Sequence, residues 1–139
     1  MPRVFLDSNV VLYAFTDDPR STVAEALLAK GGDFSVQVLN EFTNVARRKL
    51  GFDWSQIEDA LKAIATLARA IHPIDLATHR DALALARRHG FAFYDALIVA
   101  SALGARCEIL YSEDMHDGLA IDGGLRIENP FGDSALKSD

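Results

Sequence analysis

Asp7, Glu41, Asp95 and Asp114 are the residues of this sequence whose types and spacing could do chemistry together. Asp7 directly follows the apolar run Val4-Phe5-Leu6, and Asp114 closes Ser112-Glu113-Asp114 after the run Ile109-Leu110-Tyr111. Asp95 opens an apolar helical stretch, and Glu41 stands one turn into another. Carboxylates brought together repel one another, which raises their pKa values unless a cation sits among them. Magnesium or manganese fits such a set. Hard cations take oxygen ligands, and magnesium uses only a few carboxylates, keeping its other positions for water or phosphate oxygens. Zinc fits poorly, because Cys107 is the only cysteine and His72, His79, His89 and His116 form no paired ligand spacing with thiols.

Each acid also has a local explanation. Asp7 could cap the helix that begins near Val10, Asp95 could cap the helix it precedes, and Asp114 could belong to an ordinary turn. Glu41 is harder to dismiss, because Leu39, Phe42, Val45 and Ala46 surround it with apolar neighbours. A carboxylate that partly faces a core needs a partner, and no Lys or Arg lies between Lys30 and Arg47 to supply a local one.

Whether the acids meet depends on the elements that carry them. Val4-Phe5-Leu6 reads as a strand, Asp7-Ser8-Asn9 as a polar turn, and residues 10–15 as a helix. Ser21 opens a second helix that ends at Lys30-Gly31-Gly32. Phe34-Ser35-Val36 reads as a strand. Beyond it Leu39, Phe42, Val45, Ala46 and Leu50 follow helical spacing up to Gly51. Asp53 caps a helix whose apolar positions are Trp54, Ile57, Leu61, Ile64 and Leu67. A short strand over residues 71–74 precedes a helix over 76–88, capped by Asp75 and stopped by Gly90. Asp95 is expected to cap a helix over 96–103. Ile109-Leu110-Tyr111 and Leu125-Arg126-Ile127 are the last strands, separated by a polar loop over 112–118. Short apolar strands alternating with helices predict an α/β domain with a mainly parallel central sheet flanked by helices. Ligands of such sheets bind beyond the carboxyl ends of the strands. All four acids can reach that edge.

Length and composition agree with one domain, expected over residues 1–131, followed by a polar, flexible tail over 132–139. The chain has 139 residues, 50% of them hydrophobic and 24% charged, a globular balance. Its longest apolar run, residues 96–103, is far short of the ~20 residues of a membrane span. The N-terminal run Met1 to Asp7 reaches a charge too early for a secretion signal, so a cytoplasmic location is expected. A single cysteine excludes an intrachain disulfide. The net charge of −6 argues against a protein that simply coats DNA. Arg47-Arg48-Lys49 and Arg87-Arg88-His89 are basic patches that could meet nucleic acid, or equally solvated helix ends that offset the helix dipole.

Four segments, taken in order, resemble the PIN domain, and more closely the VapC toxins of bacterial toxin–antitoxin pairs. They are Phe5-Leu6-Asp7-Ser8-Asn9-Val10, Val38-Leu39-Asn40-Glu41-Phe42, Phe93-Tyr94-Asp95-Ala96-Leu97-Ile98 and Leu110-Tyr111-Ser112-Glu113-Asp114-Met115. The resemblance spans most of the chain. It implies a single PIN-like domain, a divalent metal, RNA as substrate and a VapB-like antitoxin as partner. Asp7, Glu41, Asp95 and Asp114 match the family's acidic tetrad, and Ser8 matches a small hydroxyl residue beside the first acid. Ser8, Ser112 and Asp117 are then expected around the tetrad, Asp117 at a place where related sequences vary.

The implied activity is that of a magnesium-dependent endoribonuclease, with manganese able to substitute, in which a metal-activated water attacks a backbone phosphorus. Asp7 and Asp95 would be direct ligands and Asp114 a ligand of the same or a second metal. Glu41 would act through water or as general base, and the products would carry a 5′-phosphate and a 3′-hydroxyl. Two rivals stand beside this reading. One is a catalytically silent metal-binding or protein-binding module. The other is a signalling receiver domain, disfavoured because Ser8-Asn9 follows Asp7 where receivers pair acids, and no Lys follows Tyr111. The apolar faces of residues 10–15 and 54–67 predict a homodimer and an antitoxin complex, unless both faces lie in the core.

Overall fold

Strands of two to four residues hold a sheet together when apolar side chains are buried on both of its faces, and this chain is built that way. The structure is a computed structural model that describes residues 2–121 and 123–132. In chain order the elements are β1 (Val4–Leu6), α1 (Ser8–Ala14), α2 (Ser21–Ala29), β2 (Asp33–Ser35), α3 (Val36–Arg48) and α4 (Trp54–Leu67). They continue as β3 (Ala70–His72), α5 (Leu76–His89), α6 (Phe93–Gly104), β4 (Ile109–Tyr111), β5 (Ala120–Ile121) and β6 (Leu125–Glu128). Phe5, Leu6, Phe34, Leu110, Leu125 and Ile127 are all buried, which accounts for continuous apolar runs in place of alternation.

The sheet order is β3-β2-β1-β4-β6-β5. All neighbours run parallel except β5 and β6. From β1 the chain builds outward through β2 and β3, then returns to the other side of β1 for β4. The order therefore reverses between β1 and β4, and the crevice at their carboxyl ends is where α/β sheets bind ligands.

The helices follow their sequence signals with informative exceptions. Val38, Phe42 and Ala46 of α3 and Ile57, Ala60 and Ile64 of α4 face the core at helical spacing. α6 is buried continuously from Ala96 to Ala102, so its apolar stretch is that of a central helix. Asp53 caps α4 in a reciprocal pair with Gln56, Asp75 caps α5, and Gly90 ends α5 at φ +77.

Four boundaries differ from expectation. β3 runs over Ala70–His72 in place of 71–74 and stops before Pro73, which has no N–H for the ladder. There is no turn at Asp7-Ser8-Asn9: Asp7 is the N-cap of α1, and the helix starts at Ser8. Val36 belongs to α3, not to β2, because Ser35 accepts the Val38 N–H at 3.3 Å and starts the helix there. Asp95 caps nothing; α6 begins at Phe93, so Asp95 lies inside its first turn. β5 is an addition that its two residues are too short to announce.

The faces on which the expectation of a homodimer rests are largely inside the molecule. Val10 and Val11 are buried, Leu12 and Phe15 pack against the core, and Ile57 and Ile64 are buried. Of those two faces Trp54 and Leu67 stay exposed, at 58% and 40%. No helix among the described residues is long and apolar enough to cross a membrane. Of the expected tail over 132–139, all but Gly132 lies outside the described residues.

Candidate metal centre

Asp7 is set by the end of β1. Its backbone N–H donates to the Tyr111 carbonyl of β4 at 3.0 Å, which places it in the crevice where the strand order reverses. Its side chain is 3% exposed. Oδ1 accepts the Ser8 N–H at 2.7 Å and Oδ2 accepts the Ser112 hydroxyl at 2.6 Å. Burial pushes the carboxyl up to about 7. The bonds from Ser112 and Ser8 act to lower it, and the carboxylates of Glu41 and Asp95 act to raise it.

The other three acids arrive from separate elements. Glu41, half-buried on α3, accepts the Ser8 hydroxyl on Oε1 at 2.8 Å and the Gln37 amide on Oε2 at 3.1 Å. Ser8 thus stands between Asp7 and Glu41. Asp95, in the first turn of α6, is raised by burial and then by Glu41 and Asp114. Among the described residues no hydrogen bond acts on its carboxylate. Asp114, on the exposed loop after β4, accepts the Asn9 amide on Oδ2 at 3.0 Å. Repulsion links Asp7 to Glu41 and Asp95, and Asp95 to Glu41 and Asp114.

A second buried carboxylate shows what is missing here. Asp33 is fully buried on β2, with Arg69 Nε and Nη2 at 2.6 and 2.7 Å and His72 Nε2 at 2.8 Å. Burial acts to raise Asp33, but the bonds from Arg69 and His72 outweigh it and hold the carboxyl below its ordinary range. Asp7 has no such partner, and none of the ion pairs among the described residues involves Asp7, Glu41, Asp95 or Asp114. The donors suit a hard divalent cation: all are oxygens, they repel one another, and the most deeply buried lacks a counter-charge. They are not closed into a shell. Among the described residues no three acidic, histidine or cysteine side chains are gathered closely enough to hold an ion as they stand. Asp7, Glu41 and Asp114 instead spend oxygens on Ser8, Ser112, Gln37 and Asn9.

Of the three residues expected around the tetrad, Ser8 and Ser112 touch Asp7. Asp117 does not reach the acids; it is exposed and accepts the Asn129 N–H at 2.9 Å, tying its loop to the segment after β6. Asn9, Tyr13, Arg20 and Glu113 were not singled out from sequence, yet they border the site. The spacing of Asn9 and Tyr13 on α1, one helical turn, is the signal that could have found two of them.

A sheet of this order with acids at its crevice defines a class, and the PIN domain profile matches residues 4–117. The chain belongs to the PIN domain family, which closes the receiver alternative. Among solved structures it is similar to a toxin–antitoxin complex from Klebsiella pneumoniae, with TM-score 0.69 and 21% identity over 91% of this chain and 97% of that one. It is also similar to VapBC2 from Rickettsia felis bound to a DNA fragment from its promoter, with TM-score 0.64 and 20% identity over 91% and 97%. A third is VapC20 from Mycobacterium tuberculosis, a sarcin–ricin loop cleaving toxin, with TM-score 0.61 and 22% identity over 80% and 89%. No curated protein sequence matches the chain.

Proposed function

We propose that this chain is a magnesium-dependent endoribonuclease and the toxin of a VapBC-type pair. The observation that carries the reading is Asp7, a buried carboxylate at the crevice on which the carboxylates of Glu41 and Asp95 act and which has no ion-pair partner among the described residues. Asp7 and Asp95 would hold the ion directly, and Asp114 would complete its shell or that of a second ion. Magnesium bound there supplies the lowered pKa of water and the neutralised phosphate charge that hydrolysis needs. Glu41 takes the proton of the attacking water on a carboxylate oxygen. The water oxygen bonds to phosphorus, the bond from phosphorus to O3′ breaks, and O3′ leaves and takes a proton from solvent water. Ser8 and Ser112 orient Asp7 and Glu41 throughout.

The ends of the products test this chemistry. Purified protein incubated with RNA and magnesium should leave 5′-phosphate and 3′-hydroxyl ends, whereas 2′,3′-cyclic phosphate ends would show that the ribose hydroxyl attacks instead. A VapB-like antitoxin partner is supported by the similar structures from Klebsiella pneumoniae and Rickettsia felis, one a toxin–antitoxin complex and the other VapBC2. For a homodimer the apolar surface left is narrower than the sequence suggested. Leu76 and Leu83 of α5, 61% and 52% exposed and two turns apart, are its support, and light scattering of the isolated chain tests it.

A further inference from the structure

Asp114 lies on a loop without regular structure and is itself exposed, so its place beside the other acids must be held by something else. α1 provides the hold. Asn9 donates from Nδ2 to Asp114 Oδ2 at 3.0 Å and accepts the Glu113 N–H on Oδ1 at 3.3 Å. One turn further along the same face, the Tyr13 hydroxyl donates to Glu113 Oε1 at 2.6 Å. The second oxygen, Glu113 Oε2, lies 2.7 Å from Arg20 Nε, a charge contact outside hydrogen-bond alignment.

Both partners of Glu113 are themselves fixed. Arg20 Nη1 donates to the two oxygens of Asp18 at 3.1 and 3.2 Å, and its guanidinium lies 4.9 Å from the centre of the Tyr13 ring. That ring packs edge-on against the buried Phe131 at 5.2 Å. Burial and then Glu113 push the Tyr13 hydroxyl up to about 12, so it remains a donor at neutral pH.

Glu113 has one oxygen bonded, the other beside a cation, and so differs from Asp7 in having no call for a metal. We infer that Glu113 is a positioning residue: gripped by Tyr13 and Arg20, it fixes the loop so that Asn9 presents Asp114 to the metal. The inference rests on the function proposed above. It extends the site to a cluster built by α1, the start of α2 and the loop after β4.

The test is manganese binding by the whole, metal-stripped chain, read from the rise in Tm and from the EPR signal of free Mn2+. Glu113→Ala and Tyr13→Phe are each compared in the parent and in an Asp114→Asn background. Each should raise the half-saturating Mn2+ concentration by about tenfold or more in the parent, as loss of a group that orients a ligand does. In the Asp114→Asn background the same changes should matter by less than about twofold, because the residue acted upon is gone. Tyr13→Phe removes one oxygen and keeps the ring packing, so it carries the test where Glu113→Ala fails to fold. Equal effects in both backgrounds, or unaltered Mn2+ binding in the single variants, overturn the inference alone. A folded parent that takes up no Mn2+ overturns the functional reading and this inference with it.

Discussion

Ser112 and Asp7 stand 105 positions apart in the chain, and the Ser112 hydroxyl donates to Asp7 Oδ2 at 2.6 Å with both residues buried. A hydrogen bond to the ionised form favours that form, so this contact holds down a carboxyl that burial has already pushed up to about 7. Ser112→Ala should raise the Asp7 pKa further and leave a buried acceptor short of a donor. The expected loss of stability is ~1–3 kcal/mol at pH 8, where Asp7 is ionised, and smaller at pH 5. Melting curves at the two pH values measure it, and equal losses would show that the bond does not discriminate between the two forms of Asp7.

The metal-free protein should lose stability as pH rises across the mildly acidic range. The Asp7 carboxyl has the ordinary value of 3.8 when unfolded and is pushed up to about 7 when folded. Below both values the proton is bound in either state and the stability is fully present. Between them the unfolded chain releases the proton first, so stability falls until pH passes the folded value, by on the order of 4 kcal/mol in all. Asp95, also raised, adds in the same direction. Asp33, held low, has the opposite sign and costs stability only as pH falls below the ordinary carboxylate range. Asp7→Asn should flatten the decline between pH 5 and pH 8 in urea melts of chelator-treated protein. A decline as steep as the parent's would assign it to other groups.

Asp95 and Asp53 make a matched pair of opposites. Asp53 is a true cap, accepting the Gln56 N–H at 2.7 Å, and Asp53→Ala should cost ~1 kcal/mol with or without metal. Asp95 caps nothing and is repelled by Glu41 and Asp114. Asp95→Ala should therefore leave the metal-free protein as stable or more stable, while shrinking the rise in Tm on adding magnesium. An unchanged magnesium shift would remove Asp95 from the site.

Arg69 and Asp33 should respond unequally to removal. Arg69→Ala takes two charge-assisted bonds from the buried Asp33 and should destabilise the protein, whereas Asp33→Asn frees a half-exposed arginine to solvent and costs less. Urea denaturation of the two variants at pH 7 ranks them, and the reverse ranking would contradict the pairing.

What could be read from the sequence was what local pattern determines. The acids after β1 and β4 were visible because an apolar run stops at each, and α4 and α5 because Asp53, Asp75 and Gly90 mark their ends. Asp95 misled for a physical reason. Asp is favoured as an N-cap, but the connection after Gly90 is so short that α6 starts at Phe93 without a side-chain cap. Asp7 shows that the two explanations of an acid need not compete, since it both caps α1 and lies at the crevice. The Asp33 pairing was hidden because Arg69 and His72 are 36 and 39 positions away, and no periodicity reports a contact of that range. The hold on Glu113 was hidden likewise, with Tyr13 100 positions distant. Trp54 has an apolar side chain at a helical position, yet it lies outside with the Arg47 guanidinium 4.7 Å from its ring centre.

The central claim is that Asp7 holds a catalytic divalent cation for RNA cleavage, and single-turnover cleavage of RNA by the parent and by Asp7→Asn tests it most directly. Rates are taken with magnesium, with excess chelator, and after manganese is restored. The parent should cleave with magnesium, stop with chelator and recover with manganese. Asp7→Asn should fall by more than the ~10–100-fold that loss of an outer partner of a metal ligand costs. Cleavage by the parent that survives the chelator, or an Asp7→Asn rate within a few-fold of the parent's, would contradict the account.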